Sequence, residues 1–248
     1  MNNPDPCKSI GDVIQGLTLP TPTPPTSPPA ADPGGAAPET ATAAPQSDPE
    51  PETWEQEQAR RAREERAKLF REMCPTLYRQ TDPARMPPDR LAKVLAWQYG
   101  PKGLLLVGPT GTGKTRCAWL LVRRLFLEER RRVMYFDGIG WGISVAQAYG
   151  EPDTTERWLD RLCRADVLFF DDLFKAKMTE AQEQALYGVF ERRAAWLRPI
   201  IATMNSTGDM ILARMTDNGR ADRGEPLLRR MREFCEVVSF GQTARAST

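Results

Sequence analysis

The chain has 248 residues and a net charge of only +1, a length that suits one sizeable domain with a tail. It contains no histidine, which excludes Ser-His-Asp triads, histidine-based acid–base catalysis and zinc sites that need histidine. Its five cysteines are odd in number and widely separated, which argues against a disulfide framework and indicates a reducing, cytoplasmic setting. Neither a signal-peptide pattern nor an apolar run approaching the roughly 20 residues of a membrane helix is present, so we expect no membrane association.

The small net charge conceals an acidic N-terminal region and a basic remainder. Residues 1–53 hold seven acidic residues against Lys8 alone, a net charge of −6, so residues 54–248 carry +7. Most of the basic residues in the second part are arginines, whose planar guanidinium groups suit bidentate contacts to phosphate. The composition therefore permits a nucleotide or a nucleic acid as a partner.

The first 53 residues divide into a short apolar peptide and a proline-rich linker. Within residues 1–19, four apolar residues follow the i, i+3, i+4, i+7 spacing of one helix face: Ile10, Val13, Ile14 and Leu17. This spacing predicts a peptide that docks on a partner, with a frayed tail as the alternative. Residues 20–53 contain half of the 22 prolines and no large aliphatic or aromatic residue, which predicts an extended, disordered linker.

Residues 54–100 are predicted to be a charged helix and a lead-in to the rest of the chain. The segment 54–73 is rich in both signs of charge, which is typical of a solvent-exposed helix. Two i,i+4 pairs in the favourable order support this helix: Glu57–Arg61 and Glu64–Lys68. A second helix is predicted over about 89–99.

Residues 101–248 alternate short apolar strands with helices. The predicted strands are Leu104–Val107, Val133–Phe136, Val167–Phe170, Ile200–Thr203 and Val237–Phe240. The predicted helices between them cover about 114–130, 154–164 and 179–196. Continuous apolar runs of this length are typical of parallel strands that are buried on both faces. The alternation predicts an α/β fold of three layers around a five-stranded parallel sheet.

A glycine-rich motif follows the first of these strands and opens the next helix. The motif G-x-x-x-x-G-K-[ST] is matched by Gly108, Pro109, Thr110, Gly111, Thr112, Gly113, Lys114 and Thr115. Glycines let the backbone amides wrap around phosphates, and the helix N-terminus adds the positive end of its dipole. Lys114 is expected to reach the β- and γ-phosphates, and Thr115 to ligate Mg²⁺. The motif and its context therefore predict a P-loop that binds ATP with Mg²⁺.

Two carboxylates follow the apolar run of the third predicted strand. Asp171 is expected to hold Mg²⁺ directly or through water, and Asp172 to orient or deprotonate the attacking water. The alternative is a strand that simply runs into a solvated turn. Many P-loop ATPases have glutamate at the second position, and aspartate is shorter. A nucleotide switch that does not hydrolyse ATP therefore remains open.

Polar side chains also follow the fourth predicted strand and precede the fifth. Asn205 is expected to hydrogen-bond the attacking water or the γ-phosphate, with Thr203 as the second choice and an ordinary turn asparagine as the alternative. The run Leu227–Arg232 contains three arginines. Such a run predicts either a solvated helix face or an arginine finger that stabilises charge in the transition state.

Residues 70–240 resemble the AAA+ ATPase domain of bacterial helicase loaders of the DnaC/DnaI type and of the IstB-type transposition helper ATPases. The matching stretches are GLLLVGPTGTGKT, VLFFDDLF, ERR at 191–193, IIATMN and GEPLLRRM at 224–231. The resemblance implies the strand order 5-1-4-3-2. It also implies that Arg230, the arginine before methionine in the last stretch, is an arginine finger that acts in trans on a neighbouring copy.

The resemblance further implies a function on DNA. A protein of this kind would hydrolyse ATP with Mg²⁺ and load a replicative helicase, assembling on single-stranded DNA or on the helicase. A transposase as partner is the alternative, and a P-loop kinase is a minor one. An insertion after the second strand contacts single-stranded DNA in the family. Residues 137–149 occupy that place, with Trp141 either stacking on bases or lying in the core.

The sequence departs from the family pattern near both ends. It lacks the cysteine and histidine zinc module of some loaders, and a short peptide and a linker stand where others have a folded helicase-binding domain. Eight residues follow Phe240, so we expect no C-terminal lid domain. Arg245 is then the one late candidate for a second sensor arginine.

Overall fold

A computed structural model describes residues 53–149, 152–175, 177–205, 209–211 and 221–241. The predicted docking peptide, the linker up to residue 52 and Arg245 lie outside these ranges. None of the helices within them combines the length and the apolar character that crossing a bilayer requires.

The described elements alternate as the sequence predicts. In chain order they are α1 (Trp54–Met73), α2 (Thr76–Arg79), α3 (Pro88–Ala96), β1 (Gly103–Val107), α4 (Lys114–Arg123), β2 (Val133–Asp137), α5 (Gly138–Ala148), α6 (Pro152–Arg164), β3 (Val167–Leu173), α7 (Glu180–Ala195), β4 (Ile200–Met204), α8 (Ala221–Phe234) and β5 (Cys235–Ser239). A π-helical turn at Arg124–Glu128 extends α4. Several boundaries differ from the prediction: α3 ends at Ala96 because Trp97 is extended, β3 continues to Leu173, and β5 begins two residues earlier than predicted.

All five strands are parallel and lie in the order β2-β3-β4-β1-β5, which confirms the predicted sheet. Leu104 of β1 pairs with Ile201 of β4 on one side and with Glu236 of β5 on the other. The order places β3, β4 and β1 side by side. The carboxyl ends of these three strands, where parallel sheets bind their ligands, therefore share one edge.

Alternate residues of the buried strands face two separate hydrophobic clusters, one on each side of the sheet. Leu105 and Phe170 face the cluster that includes residues of α5, α6, α7 and α8. Leu104 and Phe169 face the cluster that includes residues of α1, α3 and α4. Strands with both faces covered have no polar side to present, which is why they read as continuous apolar runs. The fold therefore has three layers, as predicted.

Trp119 of α4 lies at the centre of the second cluster. Its ring meets Phe169 edge-on with 5.2 Å between ring centroids, and it meets Phe70 of α1 in the same way at 6.2 Å. Phe70 is buried although most of α1 is exposed. The Arg66 side chain adds hydrogen bonds to the carbonyl oxygens of Phe126 and Arg131. The last turns of α1 are thus attached to the sheet layer rather than projecting freely from it.

The exposed part of α1 carries ion pairs along one face. Arg61 contacts Glu57 at 2.6 Å, as predicted. Glu64 pairs with Arg60 at 2.9 Å, where the sequence predicts Lys68. In both pairs the partners are four residues apart and therefore on the same side of the helix. Each such exposed pair contributes about 0.3–0.5 kcal/mol to helix stability.

Arg193 of α7 is a fully buried arginine that the sequence analysis treats only as part of the ERR stretch. Its guanidinium donates four hydrogen bonds to backbone carbonyls, at 2.6 to 3.0 Å, from Leu162, Ala165, Asp166 and Pro199. Burial lowers the pKa of Arg193 to about 10. The side chain thus connects the C-terminal end of α6 to the residues that precede β3 and β4, and it stabilises the sheet that carries the site.

Candidate nucleotide-binding site

The glycine-rich motif forms a loop between β1 and α4, and left-handed glycines give it its curvature. Gly111 and Gly113 have φ angles of 82° and 89°, a region that other residues rarely adopt. Gly113 caps the N-terminus of α4, and a Cβ atom there would lie 3.2 Å from the sulfur of Met86. The loop thus has the form that lets backbone amides surround a phosphate at a helix N-terminus.

Lys114 is folded over this loop and is almost completely buried. Its Nζ atom donates a hydrogen bond to the carbonyl oxygen of Pro109 at 2.7 Å. Burial lowers the pKa of Lys114, while the nearby carboxylates of Asp172 and Asp171 raise it. A carbonyl oxygen is a weaker partner for an ammonium group than an anion is. A phosphate in the loop would therefore be a better partner for Lys114.

The two predicted Mg²⁺ ligands are adjacent. The Thr115 hydroxyl donates to Oδ1 of Asp171 at 2.8 Å, and the Thr203 hydroxyl donates to the same oxygen at 2.6 Å. Burial raises the pKa of Asp171, and these two hydrogen bonds lower it. The bond from Thr115 joins the P-loop helix to the end of β3 and places the two residues side by side.

The donor set fits a magnesium site of the kind that P-loop proteins use. Mg²⁺ prefers oxygen ligands and is usually held by one or two protein groups, with water and substrate phosphates completing the octahedron. Thr115 and Asp171 provide two such oxygens beside the loop. Within the described ranges there is no cluster of three or more histidine, cysteine, aspartate or glutamate residues that could hold a metal by itself.

Asp172 lies where the ladder between β3 and β4 becomes irregular. The register shifts between Phe170 and Leu173, and Asp172 has a left-handed backbone with φ of 54°. Its N–H donates to the Thr203 hydroxyl at 2.8 Å. Its Oδ1 accepts a hydrogen bond from Nδ2 of Asn205 at 3.0 Å. Bulges next to active sites turn a side chain away from the regular strand direction.

Thr203 and Asn205 therefore have different surroundings, although the sequence proposes them for one role. Thr203 is fully buried in β4 and bridges Asp171 to the backbone of Asp172. Asn205 follows the strand and lines the cavity above the P-loop. The geometry thus gives Asn205 access to a bound ligand and places Thr203 behind the two carboxylates.

The cavity above the loop has a volume of about 620 Å³ and is strongly cationic. The P-loop, Asp172 and Asn205 line one side, and the lead-in contributes Tyr78, Arg85, Met86 and Arg90. The charged lining residues are one acid, Asp172, and five bases: Arg85, Arg90, Lys114, Arg116 and Lys175. An excess of positive charge suits a polyphosphate ligand. No sequence motif marks the lead-in residues, so their place in the cavity is not predictable from the sequence.

Arg230 lies on α8. It is not among the described residues that line this cavity. Its guanidinium is bonded to Glu191 of α7 and, at 3.1 Å, to Glu233 of its own helix. These contacts raise the pKa of Arg230, with the hydrogen bond to Glu191 as the largest cause. Arg230 is therefore engaged with acidic side chains away from the cavity of its own chain.

Trp141 of α5 belongs to the core, which resolves the two alternatives left by the sequence. It is 1% exposed, and its indole N–H donates to the carbonyl oxygen of Gln182 at 3.4 Å. Its ring meets those of Phe170 and Trp158 with centroids 5.3 and 5.4 Å apart. It is therefore not available to stack on a base.

A parallel sheet of this order, with a P-loop after β1 and an acidic pair at the end of β3, defines a P-loop ATPase fold of the AAA+ type. Superposition on the solved structure of DnaI agrees with this fold. The crystal structure of DnaI superposes with a TM-score of 0.50 at 18% identity, covering 64% of this chain and 86% of that chain. The structure of the DnaC helicase loader gives a TM-score of 0.47 at 19% identity, covering 76% and 92%.

At the sequence level the chain is similar to the uncharacterized protein YdaV of Escherichia coli (strain K12). The two are 27% identical over 120 residues, which is 45% of this chain. The chain spans about half the length, 48%, of this curated relative. No family model matches the chain. The fold that the resemblance implies is confirmed by the superposition on DnaI.

Proposed function

We propose that the protein is a Mg²⁺-dependent ATPase that acts on DNA in the cytoplasm, and specifically that it loads a replicative helicase during DNA replication. The observation that carries the ATPase part is the hydrogen bond of 2.8 Å between Thr115 and Asp171. This bond joins the two halves of a nucleotide site that lie 56 residues apart in the chain. The cavity beside it has the size and the positive charge that ATP requires.

In this proposal each side chain of the site has one role. Lys114 exchanges the Pro109 carbonyl for a phosphate oxygen, which gives a stronger, charge-assisted hydrogen bond. Mg²⁺ held by Thr115 and Asp171 supplies neutralisation of phosphate charge. Asp172, whose carboxylate contacts Asn205, orients the attacking water and accepts its proton. The chemistry is positioning and charge stabilisation, with no covalent intermediate.

Arg230 in a neighbouring copy completes the proposed site. The cavity of one chain receives no contact from its own Arg230, which is bonded to Glu191 and Glu233 on another part of the fold. A single chain would therefore lack one source of charge stabilisation in the transition state. Assembly on single-stranded DNA or on the helicase would supply it, so ATP turnover would depend on assembly.

The loader assignment rests on the sequence stretches shared with helicase loaders and on the basic charge of residues 54–248. The AAA+ fold shared with DnaI is compatible with it. A basic protein that neutralises phosphates binds DNA in a salt-dependent way. We therefore expect binding to single-stranded DNA that weakens as the salt concentration rises.

The test is ATP turnover as a function of protein concentration, with and without single-stranded DNA. We expect turnover per molecule to rise steeply with concentration and with DNA. Arg230→Ala should lower the assembled rate by about 10³-fold, the lower end of the usual effect of an arginine finger, and leave ATP binding intact. The matched control is Arg232→Ala, which removes an exposed arginine from the same helix.

Turnover that is independent of protein concentration and of Arg230 would overturn the assignment of the finger. ATP binding without any turnover would support the nucleotide switch instead. Stimulation by duplex DNA rather than single-stranded DNA would favour a transposition helper ATPase. Co-purification with a hexameric replicative helicase is the direct test of the loader function.

A further inference from the structure

Lys175 contacts Asp172 through both its side chain and its backbone. Its Nζ atom lies 2.6 Å from Oδ2 of Asp172, and its N–H donates to the Asp172 carbonyl oxygen at 3.0 Å. Lys175 also lines the cavity above the P-loop. No sequence motif indicated this residue, which lies in the turn after β3.

Asp172 has an uncommon backbone conformation. A left-handed residue other than glycine persists where its surroundings enforce it. Phe174, two residues later, is also left-handed, with φ of 65°, and is buried. The turn from Asp172 to Lys175 is thus fixed in an uncommon shape beside the nucleotide cavity.

Contacts on both oxygens fix the rotation of the Asp172 carboxylate. The torsion about the Cβ–Cγ bond of aspartate is broad when nothing constrains it. Asn205 holds Oδ1 at 3.0 Å, and Lys175 holds Oδ2 at 2.6 Å. With only one of these partners, the carboxylate could still turn about the remaining hydrogen bond.

We propose that Lys175 is a positioning residue for Asp172, which fixes the plane of its carboxylate at the edge of the nucleotide cavity. The inference rests on the proposed function, in which Asp172 orients the attacking water. Efficient water activation requires the base to be aligned with the water and the phosphorus, so a freely rotating carboxylate lowers the fraction of productive encounters. Because its charge is paired with Asp172, Lys175 influences turnover more than nucleotide binding.

The exposure of Lys175 separates this role from a contribution to folding. The lysine side chain is 63% exposed, and exposed ion pairs contribute little to stability. The hydrogen bond to Asp172 raises the pKa of Lys175, so the ammonium remains charged across the neutral range. Replacing this lysine should thus leave the thermal unfolding midpoint unchanged.

The test compares Lys175→Met, Lys175→Arg and the control Lys177→Met in the full chain under assembling conditions. Lys177 is exposed, is on the same segment and lines a different surface. We expect Lys175→Met to lower kcat about tenfold, while the Kd for an ATP analogue changes less than about twofold. Lys175→Arg should restore most of the loss, because it returns a cation to Asp172. Lys177→Met should behave like the wild type.

Three outcomes would overturn the inference. An unchanged kcat in Lys175→Met would show that Asp172 needs no second partner. A raised kcat would show that the contact restrains Asp172 in an inactive orientation. A weakened Kd with unchanged kcat would make Lys175 a phosphate ligand instead. Absence of turnover in the wild type would instead contradict the proposed function and remove the basis of the inference with it.

Discussion

The Thr203 hydroxyl is the polar connection between the two carboxylates of the site, and its removal should be costly. It donates to Oδ1 of Asp171 at 2.6 Å and accepts the N–H of Asp172 at 2.8 Å. Thr203 is fully buried, so water cannot replace either contact. Thr203→Val keeps the shape and the β-branched side chain that suit a strand, and it removes only the hydroxyl's hydrogen bonds.

The magnitude follows from those two hydrogen bonds. A bond to a charged group contributes about 1.5–3 kcal/mol, and a buried donor left without a partner costs about 1–3 kcal/mol. Asp171 keeps its bond from Thr115 in the variant, which limits the loss on that side. We therefore expect Thr203→Val to lower the free energy of unfolding by about 3–5 kcal/mol. Thr203→Ser, which keeps the hydroxyl and loses a methyl group, should cost only about 1 kcal/mol.

The assay is equilibrium unfolding in urea, with the change in free energy taken from the midpoint at constant m-value. The order of stability should be wild type, then Thr203→Ser, then Thr203→Val. A valine variant as stable as the serine variant would refute the reasoning, because it would show that the hydroxyl does not support the buried N–H and carboxylate.

Two further predictions concern other buried charges. Burial raises the pKa of Asp171, so its folded form holds the proton more tightly than the unfolded form does. The resulting stability is fully present below the unfolded pKa, near 3.9, and is lost as the pH rises through the folded value. Asp171→Asn should therefore raise the thermal midpoint relative to wild type at pH 7 but not at pH 4, while nucleotide binding with Mg²⁺ is lost; a difference independent of pH would contradict this. Arg193→Lys should lower the free energy of unfolding by about 3 kcal/mol, because an ammonium cannot reach all four carbonyls, whereas the exposed control Arg192→Lys should be neutral in the same urea titration.

The sheet was predictable because its three inner strands are buried on both faces. Runs such as Val167–Phe170 contain no polar residue, so they are not mistaken for an exposed segment. The P-loop motif shows where β1 ends and α4 begins. β5 is the less buried of the two edge strands, with three of its five residues exposed. Val237, for example, is 57% exposed. An apolar residue in this strand therefore does not indicate burial, and the ends of the strand are harder to predict from the sequence.

The proximity of candidate site residues was predictable where a motif follows the end of a strand. Thr115 and Asp171 follow this rule, and the structure brings them together. Thr203 and Asn205 show the limit of this rule. Side chains two residues apart in an extended segment point to the same side, so the sequence does not show which of the two is buried. Lys175 depends on the left-handed turn after β3, and nothing in the local sequence specifies that turn.

The lead-in shows most clearly how the cavity depends on long-range packing. Phe70, Leu91 and Val94 belong to the same hydrophobic cluster as Trp119 of the P-loop helix. This packing holds Met86 against Gly113, with its sulfur 3.2 Å from where a Cβ would lie, and closes one side of the nucleotide cavity. A motif read in isolation predicts a phosphate-binding loop, but the loop alone is an open surface. The concave volume that distinguishes a binding site from such a surface arises because the lead-in, which is far from the motif in sequence, packs on the P-loop helix.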